Sequence, residues 1–488
     1  MLEWLVLGSA ESNLIAARNQ MALTLGYHII IACFGVAFPA MIFVAHRRGI
    51  RNDDPVAIEL ARRWSKVAAV LFAIGAVTGT VLSFEMGLLW PGLMSTYGDV
   101  MGLAFALEGI SFFVEAIFIG IYLYGWDRIP PKMHSLMLVP IMVAGASGTF
   151  FVLSVNAWMN APTGFDIIDG EVTNVDPLAA IFNSAVGLQY VHMFFAAYMV
   201  VGFCVAGVYA KGILSGRNDH YHRMGLAIPL IFACLITPIQ PVVGHFAGQR
   251  LTDEQPIKLA AIEGLAETES QVPTILGGFY DGERIVGGIE VPIPGLGSFV
   301  ATNSFDAELQ GLNSVPEEDR PPVNVVRFSF QTMVAIGSAL VGLVAWAALL
   351  YRKDRQVPVN PWFLRAVLLS GPAAIVALET GWITTEVGRQ PWVVHELLRT
   401  EDAVTDAGWI WLSLAVIVVV YALVTVGGVR VIRSMTNRWR DGEKHLHTPY
   451  GPALPLADPL VNLAAMQDFG GSNRGDGGDD HEADEVGV

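Results

Sequence analysis

The sequence predicts an all-α polytopic membrane protein with nine transmembrane helices, its N-terminus outside and its C-terminus cytoplasmic. Three observations carry that reading. Only 15% of the 488 residues are charged, whereas soluble domains carry about 25%. Mean hydropathy is +0.49, and largely apolar segments long enough to span a bilayer recur along the chain. The basic residues are also divided unevenly between alternate connections.

Apolar runs place helices at 20–45, 66–89, 99–124, 132–158, 181–210, 224–247, 328–351, 363–387 and 408–433. An odd number puts the termini on opposite sides. With the N-terminus outside, 20 of the 29 Lys and Arg residues are cytoplasmic and 8 are outside, with Lys66 at a helix start. That bias satisfies the positive-inside rule. The connection from Met159 to Ile181 holds four acids and no base, which suits an outside loop. Residues 1–19 are mixed and amphipathic, and the first apolar segment is too long for a signal h-region, so no signal peptide is expected.

Residues 1–434 are expected to form one membrane domain, with no internal repeat and no separate soluble domain. Its one large loop, 248–327, is extracellular on this topology. The stretch from Lys258 to Glu267 reads as helical, and pieces such as Val291-Pro-Ile-Pro-Gly295 read as turns. Residues 435–488 form an acidic, disordered cytoplasmic tail.

Net charge is −16, and only six basic residues are Lys. The large loop holds thirteen acids against five bases, and the tail from Gly475 to Val488 holds six acids with no Lys or Arg. Such surfaces suit high salt, where repulsion is screened. An ordinary disordered acidic tail accounts for part of the same pattern. Cys33, Cys204 and Cys234 fall in apolar segments and read as packing residues. No CxxCH occurs, so nothing points to covalently attached c-type haem.

The chemistry-bearing residues are polar groups inside apolar segments. Glu379-Thr-Gly-Trp-Ile-Thr-Thr-Glu386-Val-Gly-Arg389-Gln-Pro-Trp392 sets two carboxylates, an arginine and two tryptophans at a membrane edge, where charge is costly and marks function. Glu379 and Glu386 are seven apart, which is one face of a helix. Glu108 and Glu115 have the same spacing; they can pass protons or hydrogen-bond neighbouring helices. His28 and His192 sit in apolar helices. Each, taken alone, is more often a packed, hydrogen-bonded residue than a ligand, and Met333 alone is core filler. On the predicted topology His28, Glu108, His192, Met333, Glu85, Glu386 and Arg389 gather in the outer half of the bilayer. That combination suggests metal or haem chemistry.

Together these residues resemble subunit I of the cytochrome bd-type quinol oxidases, over nearly all nine spans. The most specific piece is Gly388-Arg389-Gln390-Pro391-Trp392 after Gly381-Trp382. Others are Tyr27-His28, Gly75-Ala-Val-Thr-Gly79, Glu108-Gly109, Gly125-Trp126-Asp127-Arg128, Asn156-Ala-Trp-Met-Asn160, Val191-His192 and Lys258-Leu-Ala-Ala-Ile-Glu263. The resemblance implies His192 and Met333 as axial ligands of a low-spin haem b. It implies His28 and Glu386 as ligands of two high-spin haems, one haem b and the other haem d or a further haem b. Glu108 and Glu115 resemble acids on a proton route, Lys258 and Glu263 the quinol-binding part of the loop, and Arg389 and Trp382 haem neighbours.

The implied activity is oxidation of membrane quinol at the outer face and reduction of O2 to water, generating proton motive force without pumping. The implied partners are a second membrane subunit and the lipid bilayer of the cell membrane, with no nucleic acid. Two departures stand out. Gln331 occupies the place, two residues before Met333, where the family usually has Arg. The loop is of the short form, and the spacing of the two acids in the third helix fits a cyanide-insensitive branch. Two other classes compete: a proton-coupled membrane transporter, and a haem quinol cytochrome that does not reduce O2.

Overall fold

The computed structural model describes residues 10–440. Among them, nine helical spans are long and apolar enough to cross a membrane. The chain begins with α1 (Ala10–Asn52), α2 (Pro55–Leu89), α3 (Pro91–Tyr124), α4 (Pro131–Leu136) and α5 (Leu138–Asn160). A hairpin of β1 (Asp166–Ile168) and β2 (Glu171–Thr173) leads to α6 (Pro177–Ile181), α7 (Val186–Leu214), α8 (His220–Ile236), α9 (Gln240–Glu254) and α10 (Pro256–Glu263).

The large loop follows, with β3 (Glu269–Ser270), β4 (Ile275–Leu276), β5 (Phe279–Tyr280), β6 (Ile285–Val286), β7 (Ile289–Glu290), α11 (Leu296–Thr302) and β8 (Glu308–Leu309). Then come α12 (Val323–Asp354), α13 (Pro361–Val387), β9 (Trp392–Val394), β10 (Leu398–Arg399), α14 (Thr400–Ala403) and α15 (Ile410–Arg440).

Helix starts follow local chemistry. Asp54 accepts hydrogen bonds from the Val56 and Ala57 amides, with Pro55 opening α2. Asn360 does the same ahead of Pro361, and Asp219 caps α8. An oxygen cap plus a first-turn proline satisfies or removes donors that would otherwise be orphaned. These caps sit at the end of the bundle opposite the large loop.

The apolar pattern placed every span, but several bounds differ. The fifth begins at Val186, because Ile181 closes the separate short helix α6. The sixth is two helices, α8 and α9, interrupted at 237–239. The seventh starts at Val323, so Met333 lies ten residues inside it. The first and third extend well beyond their apolar cores, to 43 and 34 residues, because polar ends can continue a helix in water. The last span runs to Arg440, past the expected boundary at 434. The rest of the acidic tail, like residues 1–9, lies outside the described residues. α9 continues to Glu254, past the expected loop start at 248, and the loop holds three antiparallel pairs, β3–β8, β4–β7 and β5–β6, besides the β1–β2 and β9–β10 pairs outside it.

α1 packs along α2, α3 along α5, and α7 along α8. α13 packs against both α7 and α12. One core cluster joins α1, α2, α7, α8, α12 and α13, and a second lies at the loop end between α1, α3 and α5. α15 leans on α1 and α2 and leaves most of its apolar side chains uncovered, as expected of a helix facing lipid or another membrane chain. Trp362 and Trp409, both exposed at helix starts, suit the two membrane–water interfaces.

Candidate haem and quinol site

α1 and α3 run in the same direction, and contacts between helices set the heights of the polar groups. A Cβ on Gly26 of α1 would lie 3.0 Å from Glu379 Oε2, and one on Gly35 3.4 Å from Glu115 Oε1. His28, Glu379 and Glu108 therefore share one level. Glu386 is seven residues nearer the loop end and Glu115 seven residues farther away, each about 10 Å along the axis. The carboxylates thus form a ladder along the bundle, with Glu108 and Glu379 at the His28 level. Glu115 also lines a narrow cavity with Ser65 and Tyr122 that continues away from the loop.

His28 is partly buried on α1, and its Nδ1 lies 2.8 Å from Thr78 Oγ1 on α2. His192 on α7 has a buried Nδ1 without a hydrogen-bond partner. Gly244 of α9 faces it; a Cβ there would lie 3.2 Å from the ring. Met333 on α12 faces Gly381 of α13, where a Cβ would lie 3.0 Å from the sulfur. Trp382, the next residue, is partly buried against the central core.

At the loop end of α13 the polar groups converge. Arg389 Nη2 donates to Glu386 Oε2 at 2.6 Å, and the other carboxylate oxygen accepts from Asn156 Nδ2 of α5. One turn on, Asn160 Oδ1 accepts from Lys258 Nζ at 2.9 Å and from Gln255 Nε2 at 3.1 Å. Lys258 is only 5% exposed, and its stem runs against Gly388, where a Cβ would clash at 2.9 Å. Burial first, and then Arg389, lower the Lys258 ammonium to a pKa of about 7, against an opposing pull from Glu386. His395, between β9 and β10, has an orphaned buried Nδ1. Its pKa is lowered, chiefly by burial, with Lys258 and Arg389 adding to the shift.

Glu263 ends the same short helix as Lys258 but turns elsewhere. Its carboxyl is pushed upward by burial, opposed by Arg327. Arg327 is 0% exposed and donates to the carbonyls of Ile262, Glu263, Ile275 and Gly277. Gln331, one turn further along α12, bonds Ile275 O and the Gly277 amide. Gln331 is thus occupied with the loop backbone, and the buried arginine of this helix stands four residues earlier.

The model of the cytochrome bd terminal oxidase subunit I family matches residues 16–439. The chain belongs to that family. A bd oxidase structure from Geobacillus thermodenitrificans is similar at 35% identity and a TM-score of 0.82, covering 87% of this chain and 98% of that one. A Bacillus subtilis protein provisionally named cytochrome bd menaquinol oxidase subunit I is 36% identical over 86% of this chain and 96% of its own length. A second, cytochrome bd ubiquinol oxidase subunit 1 of the same organism, is 28% identical over 89% and 95%.

Cytochrome bd oxidases contain haem, and the residues present fit it. The donor set is imidazole, thioether and carboxylate. Gly244 and Gly381 carry no side chain where the helices pass His192 and Met333, and His192 Nδ1 has no hydrogen-bond partner. Arg389 is 4% exposed, yet its Nε and Nη1 have no partner, which suits the carboxylate tails of the group. Glu386 keeps acceptor capacity beyond its two bonds, since a carboxylate offers about four lone-pair sites.

Sequence reasoning had quoted Asn156, Asn160 and Thr78 inside motifs without giving them work. It missed His395 and the loop role of Arg327 altogether. A buried charged residue one turn before Gln331 was the available signal for Arg327.

Proposed function

We propose that this chain is the haem-bearing subunit of a quinol:oxygen oxidoreductase of the cell membrane. It would oxidise membrane quinol at the loop end and support reduction of O2 to water within the bundle. What carries the reading is the meeting of Glu386, the unspent donors of Arg389, and the loop residue Lys258 at one end of α13. That places a candidate haem ligand, an anion-binding group and the loop within one hydrogen-bonded cluster.

His192 and Met333 would hold a low-spin haem b. His28 and Glu386 would hold two high-spin haems, a haem b and a haem d or second haem b. When bound, these groups supply the electron storage and oxygen chemistry that no side chain here provides. Arg389 would bind a haem carboxylate while orienting Glu386, and Trp382 packs between the Met333 level and the core.

The large loop, expected at 248–327 and lying between α9 and α12, would be the extracellular quinol-binding loop. Glu263 accepts a quinol hydroxyl proton; its upward-shifted carboxyl is a better base near neutral pH than an ordinary glutamate. Lys258, tied to Asn160, fixes the loop helix on the bundle beneath the quinol. The quinol protons leave outward, while Glu115 and Glu108 pass protons from the cytoplasmic side toward the His28 level. Consumption and release on opposite sides generate proton motive force without a pump. A second membrane subunit covers part of the exposed apolar surface, and lipid covers the rest.

An optical spectrum of the purified complex tests the reading. Low-spin bands together with a carbon monoxide-reactive haem are expected, and the long-wavelength region distinguishes haem d from haem b. Absence of haem bands would favour a transporter. Low-spin bands without carbon monoxide reactivity would favour an electron carrier that does not reduce O2.

A further inference from the structure

The segment Gly75-Ala76-Val77-Thr78-Gly79 packs α2 against α1 at His28. A Cβ on Gly79 would lie 3.0 Å from His28 Cε1, and one on Gly75 3.3 Å from Ile31 Cγ2. His28 and Ile31 are one turn apart on α1, as Gly75 and Gly79 are on α2. The two glycines let the backbones approach, and that approach brings Thr78 Oγ1 to 2.8 Å from His28 Nδ1. Thr78 is 0% exposed, so bulk water does not compete for this contact.

We propose that Thr78 is a positioning residue for haem ligation, its hydroxyl accepting the Nδ1 proton of His28 so that Nε2 keeps its lone pair for iron. This rests on the reading of His28 as an axial ligand. A threonine hydroxyl has one proton to give. The Thr78 hydroxyl lies 3.1 Å from Ile74 O and 3.2 Å from Gly75 O of its own helix, the back-bonding that threonine makes in helices. With that proton placed on a carbonyl, the oxygen turns its lone pairs to His28. The chain then runs Nδ1–H to Oγ1 and O–H to the helix carbonyl. In the reverse order the hydroxyl would donate to Nδ1, and the ring proton would sit on Nε2 and block it. A partner of this kind fixes tautomer and ring orientation and raises ligand basicity. No equivalent serves His192, whose Nδ1 has no partner.

The test compares Thr78→Val, Thr78→Ser and His28→Ala in the complete oxidase. The iron–histidine stretching band of the reduced complex would be read by resonance Raman, and haem loss by transfer to apomyoglobin. Thr78→Val keeps the shape and removes the acceptor. It should move the band to lower frequency and speed loss of that haem roughly 10-fold or more, while Thr78→Ser restores both. If Thr78→Val does not assemble, Thr78→Ala read against Thr78→Ser makes the same comparison. A band unmoved in the acceptor-free variant, but abolished in His28→Ala, overturns the role of Thr78 and leaves His28 as ligand. A band that survives His28→Ala overturns the ligand reading itself, and the proposal with it.

Discussion

Two regions along α13 hold the candidate site residues in opposite ways. Between one and two turns before the loop end of α13, Met333 faces Gly381, and on the other flank of α13 His192 faces Gly244; bare glycines border both side chains and His192 Nδ1 is unpartnered. At the loop end, Arg389, Glu386 and Asn156 bond in series, and Asn160, which accepts from Lys258 and Gln255, donates its Nδ2 to the Asn156 carbonyl and so joins the two groups. The first region is a close helix contact at glycines, with candidate ligand side chains that bond nothing around them. The second is a polar network. Loss of one side chain should therefore act locally in the first region and spread in the second.

Glu386→Ala should have the largest effect, because it removes a proposed ligand and the partner of Arg389 together. A buried arginine that loses its carboxylate is left uncompensated. Oxygen turnover should fall by roughly 100-fold or more, since outer-shell losses alone reach that size. Carbon monoxide difference spectra should lose amplitude while the haem at His192 remains reducible by quinol. Wild-type turnover with full haem content would remove Glu386 from the ligand set.

Met333→Leu sharpens the contrast from the other side. The volumes are similar, so the packing cost should stay below about 1.5 kcal/mol. The reduced low-spin band should nevertheless shift or vanish, and quinol oxidase activity with it. An unchanged reduced spectrum would make Met333 a packing residue and the glycine opposite it incidental.

The difference between the regions also explains what could be read in advance. Hydropathy gave every span, because lipid demands long apolar helices. His28, His192, Met333 and Glu386 could be named as candidates because polar or sulfur groups in apolar helices, taken with the family resemblance, single themselves out. The partners were not legible. Asn156 and Asn160 come from α5, Lys258 from α10 and Thr78 from α2, and only the packing angles bring them to the ligands. Spacing along one helix says nothing about contacts across five. The heights of the polar groups relative to one another likewise come from contacts between helices, at Gly26 with Glu379 and at Gly35 with Glu115, and not from counting along one helix. Gln331, standing where the family usually has Arg, has its amide spent on the Ile275 carbonyl and the Gly277 amide of the loop, contacts that spacing along α12 does not reveal.

Glu263→Gln separates the loop from the bundle. The substitution keeps the shape and removes the base. Turnover with quinol should drop about 100-fold, the lower end of what a positioned base contributes. Oxidation of chemically reduced enzyme by O2 should stay near normal. Slowing of the oxygen step with quinol turnover intact would move Glu263 out of quinol chemistry.

The smallest expected effect is on stability, and it reports how tightly the second region is closed. Lys258 has a folded pKa of about 7 against an ordinary value of 10.5. Between those values the unfolded chain holds more protons than the folded one. Stability then rises as pH increases through this window. Below about pH 7 both states are protonated and the buried ammonium carries its full desolvation penalty; above about pH 10.5 both are neutral and the penalty is gone. Lys258→Met, which keeps most of the stem against Gly388, should remove this contribution. Thermal unfolding of the detergent-solubilised complex from pH 7 to 9.5 should show a shallower rise for the variant than for the wild type. Parallel curves would mean that the ammonium is solvated in the working enzyme, and that the cluster under the loop is open where Lys258 and Asn160 appear joined.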